Sequence, residues 1–147
     1  MNATPIFRRI ALIGFGLIGG SIARAARAEG LASEIVTTAR SEKTRARVAE
    51  LSIVDRVLET NAEAVQDADL VILCIPVGAC GPVAEEIATH LKPGVIVSDV
   101  GSVKGMVLRD MAAHLPKTVH FIPAHPVAGT EHSGPDSGFA ELFINRW

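Results

Sequence analysis

Apolar residues along this chain gather into short runs, and the stretches between them carry a helical pattern. The runs at 10–13, 35–38, 54–58, 70–75, 95–98 and 119–122 read as strands. They are apolar throughout instead of alternating, as strands buried on both faces are. Residues 17–29 read as a helix ended by Gly30. Residues 42–51 are charged and helical, and 83–91 repeats apolar side chains at Val83, Ile87, Ala88 and Leu91. Residues 102–115 read as a further helix, with Ser102 as its N-cap. Pro93-Gly94 is a turn. Strand and helix therefore alternate, which predicts an α/β fold: a doubly wound, mostly parallel sheet with helices on both faces.

No repeat, low-complexity tract or internal linker interrupts this order, and residues 1–147 are expected to form one domain with a proper core. The run Phe143-Ile144-Asn145-Arg146-Trp147 reads as the approach to another element. Composition narrows the picture. Hydrophobic residues make up 48% and charged residues 20%, which excludes a disordered chain. A net charge of −2 argues against a nucleic-acid surface, which needs a clustered basic excess. Cys74 and Cys80 are too few for a disulfide framework and sit in apolar surroundings, so reduced thiols and a cytoplasmic setting are expected. Arg8-Arg9 and the apolar residues after them imitate a secretory signal, but Gly14, Gly16, Gly19 and Gly20 would weaken its helix. The apolar run 70–84 is broken by Pro76, Gly78, Gly81 and Pro82, too short and irregular to span a bilayer.

Those glycines carry chemistry instead. Gly14-Phe15-Gly16-Leu17-Ile18-Gly19 stands between a strand and a helix, the context that gives a GxGxxG match its weight. Gly14 permits the tight turn, Gly16 lets the backbone approach a pyrophosphate, and Gly19 allows close helix–strand packing. Leu17 and Ile18 open the helix whose free N–H groups would face the anion. This is a Rossmann-type cradle for NAD or NADP. At the end of the second strand an NAD site usually shows an acid for the ribose 2′-hydroxyl. Here Arg40 and Ser41 stand in that place, and an Arg suits the 2′-phosphate of NADP. Glu42 could reach back to a 2′-hydroxyl, and Arg40 with Lys43 could be only a solvated helix start; the balance leans to NADP. Ile75, Pro76 and Val77 follow the fourth strand at its carboxyl end, where open α/β sheets bind ligands, so they are expected to line the cofactor.

Two later segments fall at the same edge. Ser98-Asp99-Val100-Gly101-Ser102-Val103-Lys104 ends the fifth strand, and His125 follows the sixth. A capping Ser102 can still present its hydroxyl to a ligand. A histidine with an ordinary pKa of about 6.5 suits a general base near neutrality.

The motifs GFGLIGGS, DVGSVK and HPVAGTEHSGP, in this order, resemble the prephenate/arogenate dehydrogenase family of tyrosine biosynthesis. The resemblance covers essentially the whole chain as that family's N-terminal nucleotide-binding domain. It implies oxidative decarboxylation of a cyclohexadienyl alcohol, prephenate or arogenate. The ring C4 hydride goes to the nicotinamide, the carboxylate leaves as CO2 and the ring becomes aromatic. It implies that His125 hydrogen-bonds the 4-hydroxyl and accepts its proton, and that Ser102 orients His125. Glu131 belongs to the mouth of the site; Thr130 and Ser133, with Gly129 beside them, are substrate-side candidates. Family members continue into a helical domain that forms a homodimer and grips the substrate carboxylates. On that basis this chain alone is expected to be a monomer with little turnover. His90, His114 and His120 match no family motif and read as structural or surface groups.

Three other readings compete: a β-hydroxyacid or imine dehydrogenase on the same fold, a cofactor-binding module without turnover, and a metal hydrolase using Asp99, His125, Glu131 and His132. No compact ligand motif such as HExxH supports the last, and no metal is expected.

Overall fold

Six strands pair in the order β3-β2-β1-β4-β5-β6: Phe7–Ile13 (β1), Ala32–Thr38 (β2), Arg56–Leu58 (β3), Leu70–Leu73 (β4), Ile96–Asp99 (β5) and His120–Ile122 (β6). Every pairing is parallel. The structure is a computed structural model that describes residues 4–146. Among these residues the helices are Leu17–Ala28 (α1), Glu42–Leu51 (α2), Asn61–Val65 (α3), Val77–Ile87 (α4) and Lys104–Ala112 (α5), with 3-10 turns at Ala88–His90 and Ala140–Phe143. No helix among them is long and apolar enough to cross a membrane.

The apolar run at residues 10–13 of β1 has a simple cause. Successive side chains point to opposite faces of a sheet. Ile10 and Leu12 pack with Phe15, Ala23 and Val48 beneath α1 and α2, whereas Ala11 and Ile13 join Ala84, Ile87, Val107 and Met111 beneath α3, α4 and α5. One strand thereby feeds two cores, and each large side chain so buried contributes about 1.5–3 kcal/mol. Strand order reverses beside β1. From there β2 and β3 run one way and β4, β5 and β6 the other. The loops leaving the carboxyl ends of β1 and β4 diverge at that point and open a crevice, the topological switch of a doubly wound sheet.

Several elements differ from expectation. The fourth helix starts at Val77, not residue 83, and carries Pro82 inside it. Pro82 falls in the second turn, where it removes the one ladder bond that a residue 82 N–H would make to the Gly78 carbonyl. The last long helix is shorter than 102–115, and Ser102 does not cap it. The N-cap position belongs to Val103, with no side-chain bond. The turn before it is closed by Asp99, whose carboxylate accepts the Gly101 N–H at 2.8 Å. α3 was absent from the pattern because it spans only five residues. It is held by a capping box in which Thr60 Oγ1 accepts the Glu63 N–H at 3.2 Å and Glu63 accepts the Thr60 N–H.

Beyond β6 the chain returns across the sheet edge. The 3-10 turn at Ala140–Phe143 packs on α1 with Leu142 buried, and the Phe139 N–H donates to the fully buried Ser21 Oγ at 3.0 Å. Arg24 donates to the Pro135 carbonyl at 3.2 Å, and Arg47 of α2 pairs with Asp136 at 2.5 Å. Gly138 has no room for a side chain: a Cβ there would lie 2.6 Å from Arg24 Nη1 and 2.8 Å from Ser21 N. This return segment forms a strap over the start of α1.

Candidate active site

The three glycines differ in what surrounds them. Gly14 holds φ at +95°, and a Cβ there would sit 2.5 Å from the Cys74 carbonyl oxygen. Gly19 faces the turn from α1, where a Cβ would sit 2.5 Å from the Gly14 carbonyl oxygen and 3.1 Å from Cys74 Cβ. Helix, turn and strand end are therefore in direct contact. Gly16, the N-cap of α1, has nothing within 4 Å of its Cβ position. The space before it is open, on the side where the helix presents unpaired N–H groups.

That opening is a cleft of about 890 Å³, within the usual range of a cofactor site. Gly14 and Gly16 line it with Arg40, Ser41, Ile75 and Pro76. Leu17, Ile18, Gly19 and Val77, also expected at the cofactor, are not among the residues that line it. The side wall is formed by Thr38, Asn61 and Glu86, linked in a chain of hydrogen bonds: Thr38 Oγ1 donates to Asn61 Oδ1 at 2.8 Å, and Asn61 Nδ2 donates to Glu86 at 3.0 Å. Glu59, Thr60 and Thr44 complete that wall, and Gly134 and Pro135 of the strap reach it from the far end of the chain. Reading the sequence in order could not find the strap's contribution, because no local pattern at 134–135 marks what those residues face. The wall at 59–61 did leave a signal, the Thr60-x-x-Glu63 capping pattern.

Ser41 is the N-cap of α2, its hydroxyl accepting the Thr44 N–H at 3.1 Å. The positive end of that helix thus opens at the cleft beside Arg40. Cys74 lies beneath the glycine turn, and burial first, with the Asp99 carboxylate second, pushes its thiol up to about 12. Cys74 is half-buried on the cleft lining and Cys80 is buried; burial raises both thiols.

His125 lines a second cavity at the same carboxyl edge, about 320 Å³ in volume, with Ser98, Asp99, Ala124 and Phe143. Asp99 is fully buried and is paired with Lys104. The sequence signal of this pair is an acid at a strand end five residues before a lysine. Ser102 is exposed on the turn, and no hydrogen bond joins it to His125 among the described residues. Thr130, Glu131, Ser133 and Gly129 lie on an exposed loop beyond His125, where Thr130 Oγ1 accepts the His132 N–H at 3.1 Å. They line neither cavity. His90, His114 and His120 are exposed. Among the described residues, no three His, Cys, Asp or Glu side chains gather as a metal site would require.

Comparison with known proteins gives this arrangement its relatives. The chain is 46% identical over 138 residues to the cyclohexadienyl dehydrogenase of Zymomonas mobilis, covering 94% of this chain and 47% of that protein. The crystal structure of prephenate dehydrogenase from Aquifex aeolicus in complex with hydroxyphenyl propionate and NAD+ matches with a TM-score of 0.85 at 27% identity, over 95% of this chain and 48% of the other. The Synechocystis arogenate dehydrogenase matches with a TM-score of 0.84 at 32% identity, over 94% of this chain and 48% of the other. The chain thus spans about half the length of the relatives it matches. Residues 22–147 match the prephenate dehydrogenase nucleotide-binding domain, and the chain belongs to that family.

Proposed function

We propose that this chain is the dinucleotide-binding half of a prephenate or arogenate dehydrogenase, an NAD(P)-dependent oxidoreductase of tyrosine biosynthesis. The single observation that carries the reading is that His125 lines a cavity at the same carboxyl edge of the sheet as the glycine cleft. The cleft fits a dinucleotide on its own geometry: a Cβ at Gly16 would project into open space where the α1 N–H groups converge. When bound, the nicotinamide supplies the acceptor for a hydride.

The protein's part follows from the residues. Gly14 and Gly16 bring backbone to the diphosphate, and Gly19 keeps α1 close enough to present its N–H groups there. Arg40, with the amino end of α2 beside it, supports NADP over NAD through charge-assisted contact with a 2′-phosphate. His125 takes the proton of the ring hydroxyl onto an imidazole nitrogen as the C4 hydride leaves. Loss of CO2 then completes an aromatic ring, so decarboxylation needs little help from the protein. Ser102 is assigned to orienting His125, Glu131 to the mouth of the site, and Thr130, Ser133 and Gly129 to the substrate side. Residues 1–147 act as one nucleotide-binding domain, the complete enzyme is a homodimer, and its setting is the cytoplasm.

The test is steady-state NAD(P)H production with prephenate and arogenate in turn, by an active protein of family length that carries this segment. General-base catalysis contributes about 10²–10⁴-fold, so His125→Asn should lower kcat by about that factor. A His125→Asn enzyme with normal kcat removes His125 from this role. Turnover of a β-hydroxyacid or imine, with none of either cyclohexadiene, overturns the substrate assignment.

A further inference from the structure

We propose that the Asp99–Lys104 ion pair is a positioning device for His125, gripping the backbone immediately before it; this rests on the role given to His125 above. β6 is only three residues long, and its last partnered residue is Ile122, opposite Ser98. Past Ile122 the sheet no longer dictates the path of the chain. Pro123, Ala124 and His125 are all exposed, so packing does not fix them either.

The ion pair takes over at that point. Asp99 Oδ1 accepts the Ala124 N–H at 3.3 Å, and Lys104 Nζ donates to the Ala124 carbonyl oxygen at 2.6 Å. The two peptide units flanking Ala124 are therefore each held by one partner, and the second of these is the peptide joined to His125. Asp99 Oδ2 in turn accepts from Lys104 Nζ and from the Gly101 N–H. A carboxylate can only accept and an ammonium can only donate, so holding adjacent N–H and C=O groups calls for both. The pairing also offsets the penalty of placing Asp99, whose side chain is 0% exposed, away from water. Gly101 makes the turn possible, since a Cβ there would lie 3.0 Å from Asp99 Oδ2 and 2.9 Å from Val107 Cγ2. β5, α5 and the loop after β6 thus meet on one buried carboxylate, and the residue they jointly place is the histidine lining the adjacent cavity.

The experiment compares Lys104→Met, Lys104→Arg and the double variant Asp99→Asn with Lys104→Met against wild type. Kinetics are measured in the active protein of family length, and amide hydrogen exchange in the present chain. A displacement of about 1 Å lowers rate by about 100-fold, so Lys104→Met should lose about that factor in kcat with dinucleotide KM within about twofold of wild type. Lys104→Arg, which can still donate to both acceptors, should recover most of the loss. The Ala124 amide should exchange faster in Lys104→Met while those of β1 keep their protection. The double variant removes both charges together and should keep the fold while losing the rate. Wild-type kcat in Lys104→Met, a loss confined to dinucleotide affinity, or loss of β1 protection in all three variants would each overturn the proposal. If wild type turns over neither prephenate nor arogenate, the functional reading fails separately. The exchange data then still decide the grip, and unchanged exchange at Ala124 in Lys104→Met refutes it.

Discussion

Two neighbouring glycines should respond to the same added methyl in opposite ways. In Gly19→Ala the new Cβ would lie 2.5 Å from the Gly14 carbonyl oxygen and 3.1 Å from Cys74 Cβ. The first obstacle is backbone in a turn at φ +95°, which cannot swing aside as a side-chain end could. Overpacking of this kind costs about 1–3 kcal/mol, and the contact with backbone puts it in the upper part of that range. Replacing Gly by Ala inside a helix returns about 1 kcal/mol. The net loss is about 1–2 kcal/mol, a fall in Tm of about 3–6 °C for a chain of this size. In Gly16→Ala the Cβ meets no protein atom within 4 Å. Only the N-cap preference changes, by less than about 1 kcal/mol. Its methyl instead enters the space where backbone must approach a diphosphate, and affinity for NAD(P) should fall at least tenfold, about 1.4 kcal/mol. Thermal melting followed by circular dichroism and titration calorimetry with NADP and NAD measure the two effects. A Gly16→Ala protein binding dinucleotide as wild type does would refute the assignment of that space. A Gly19→Ala protein with unchanged Tm would show that α1 can move away from β1 freely.

Three further outcomes are expected. Arg40→Ala should weaken NADP binding while leaving NAD binding unchanged, and equal losses for both would transfer Arg40 to a structural role. The hydrogen bond from Lys92, and then the Arg8 and Arg9 N–H groups, hold the Asp69 carboxyl below its usual range, so its stabilisation is present above the ordinary carboxylate pKa and lost as pH falls through the lowered one. Asp69→Asn should therefore cost about 1 kcal/mol at neutral pH, and the difference from wild type should shrink on acidification in denaturant melts; a difference that grows as pH falls would contradict the sign. Gly138→Ala should drive the strap off α1, seen as faster exchange of the Phe139 amide while the β1 amides stay protected, and unchanged exchange at Phe139 would show that Arg24 and the α1 backbone can yield.

The layered α/β architecture was legible in the sequence because a strand segment buried on both faces must be apolar at every position, and residues 10–13 of β1 are. The glycine cradle was legible for a similar reason: the close approach at Gly19 and the turn at Gly14 each restrict one position to one residue type. Tertiary structure decided the rest. The start of α4 was hidden because Pro82 and two glycines obscure the helical period, and α3 because five residues carry too little pattern. The cleft wall from Gly134 and Pro135 depends on a strap returning to α1, and the grip on Ala124 joins groups 20 and 25 residues apart. Periodicity and local propensity register only what a residue needs from its near neighbours. A buried carboxylate that serves three segments at once is specified by where those segments meet, and that meeting exists only in the folded chain.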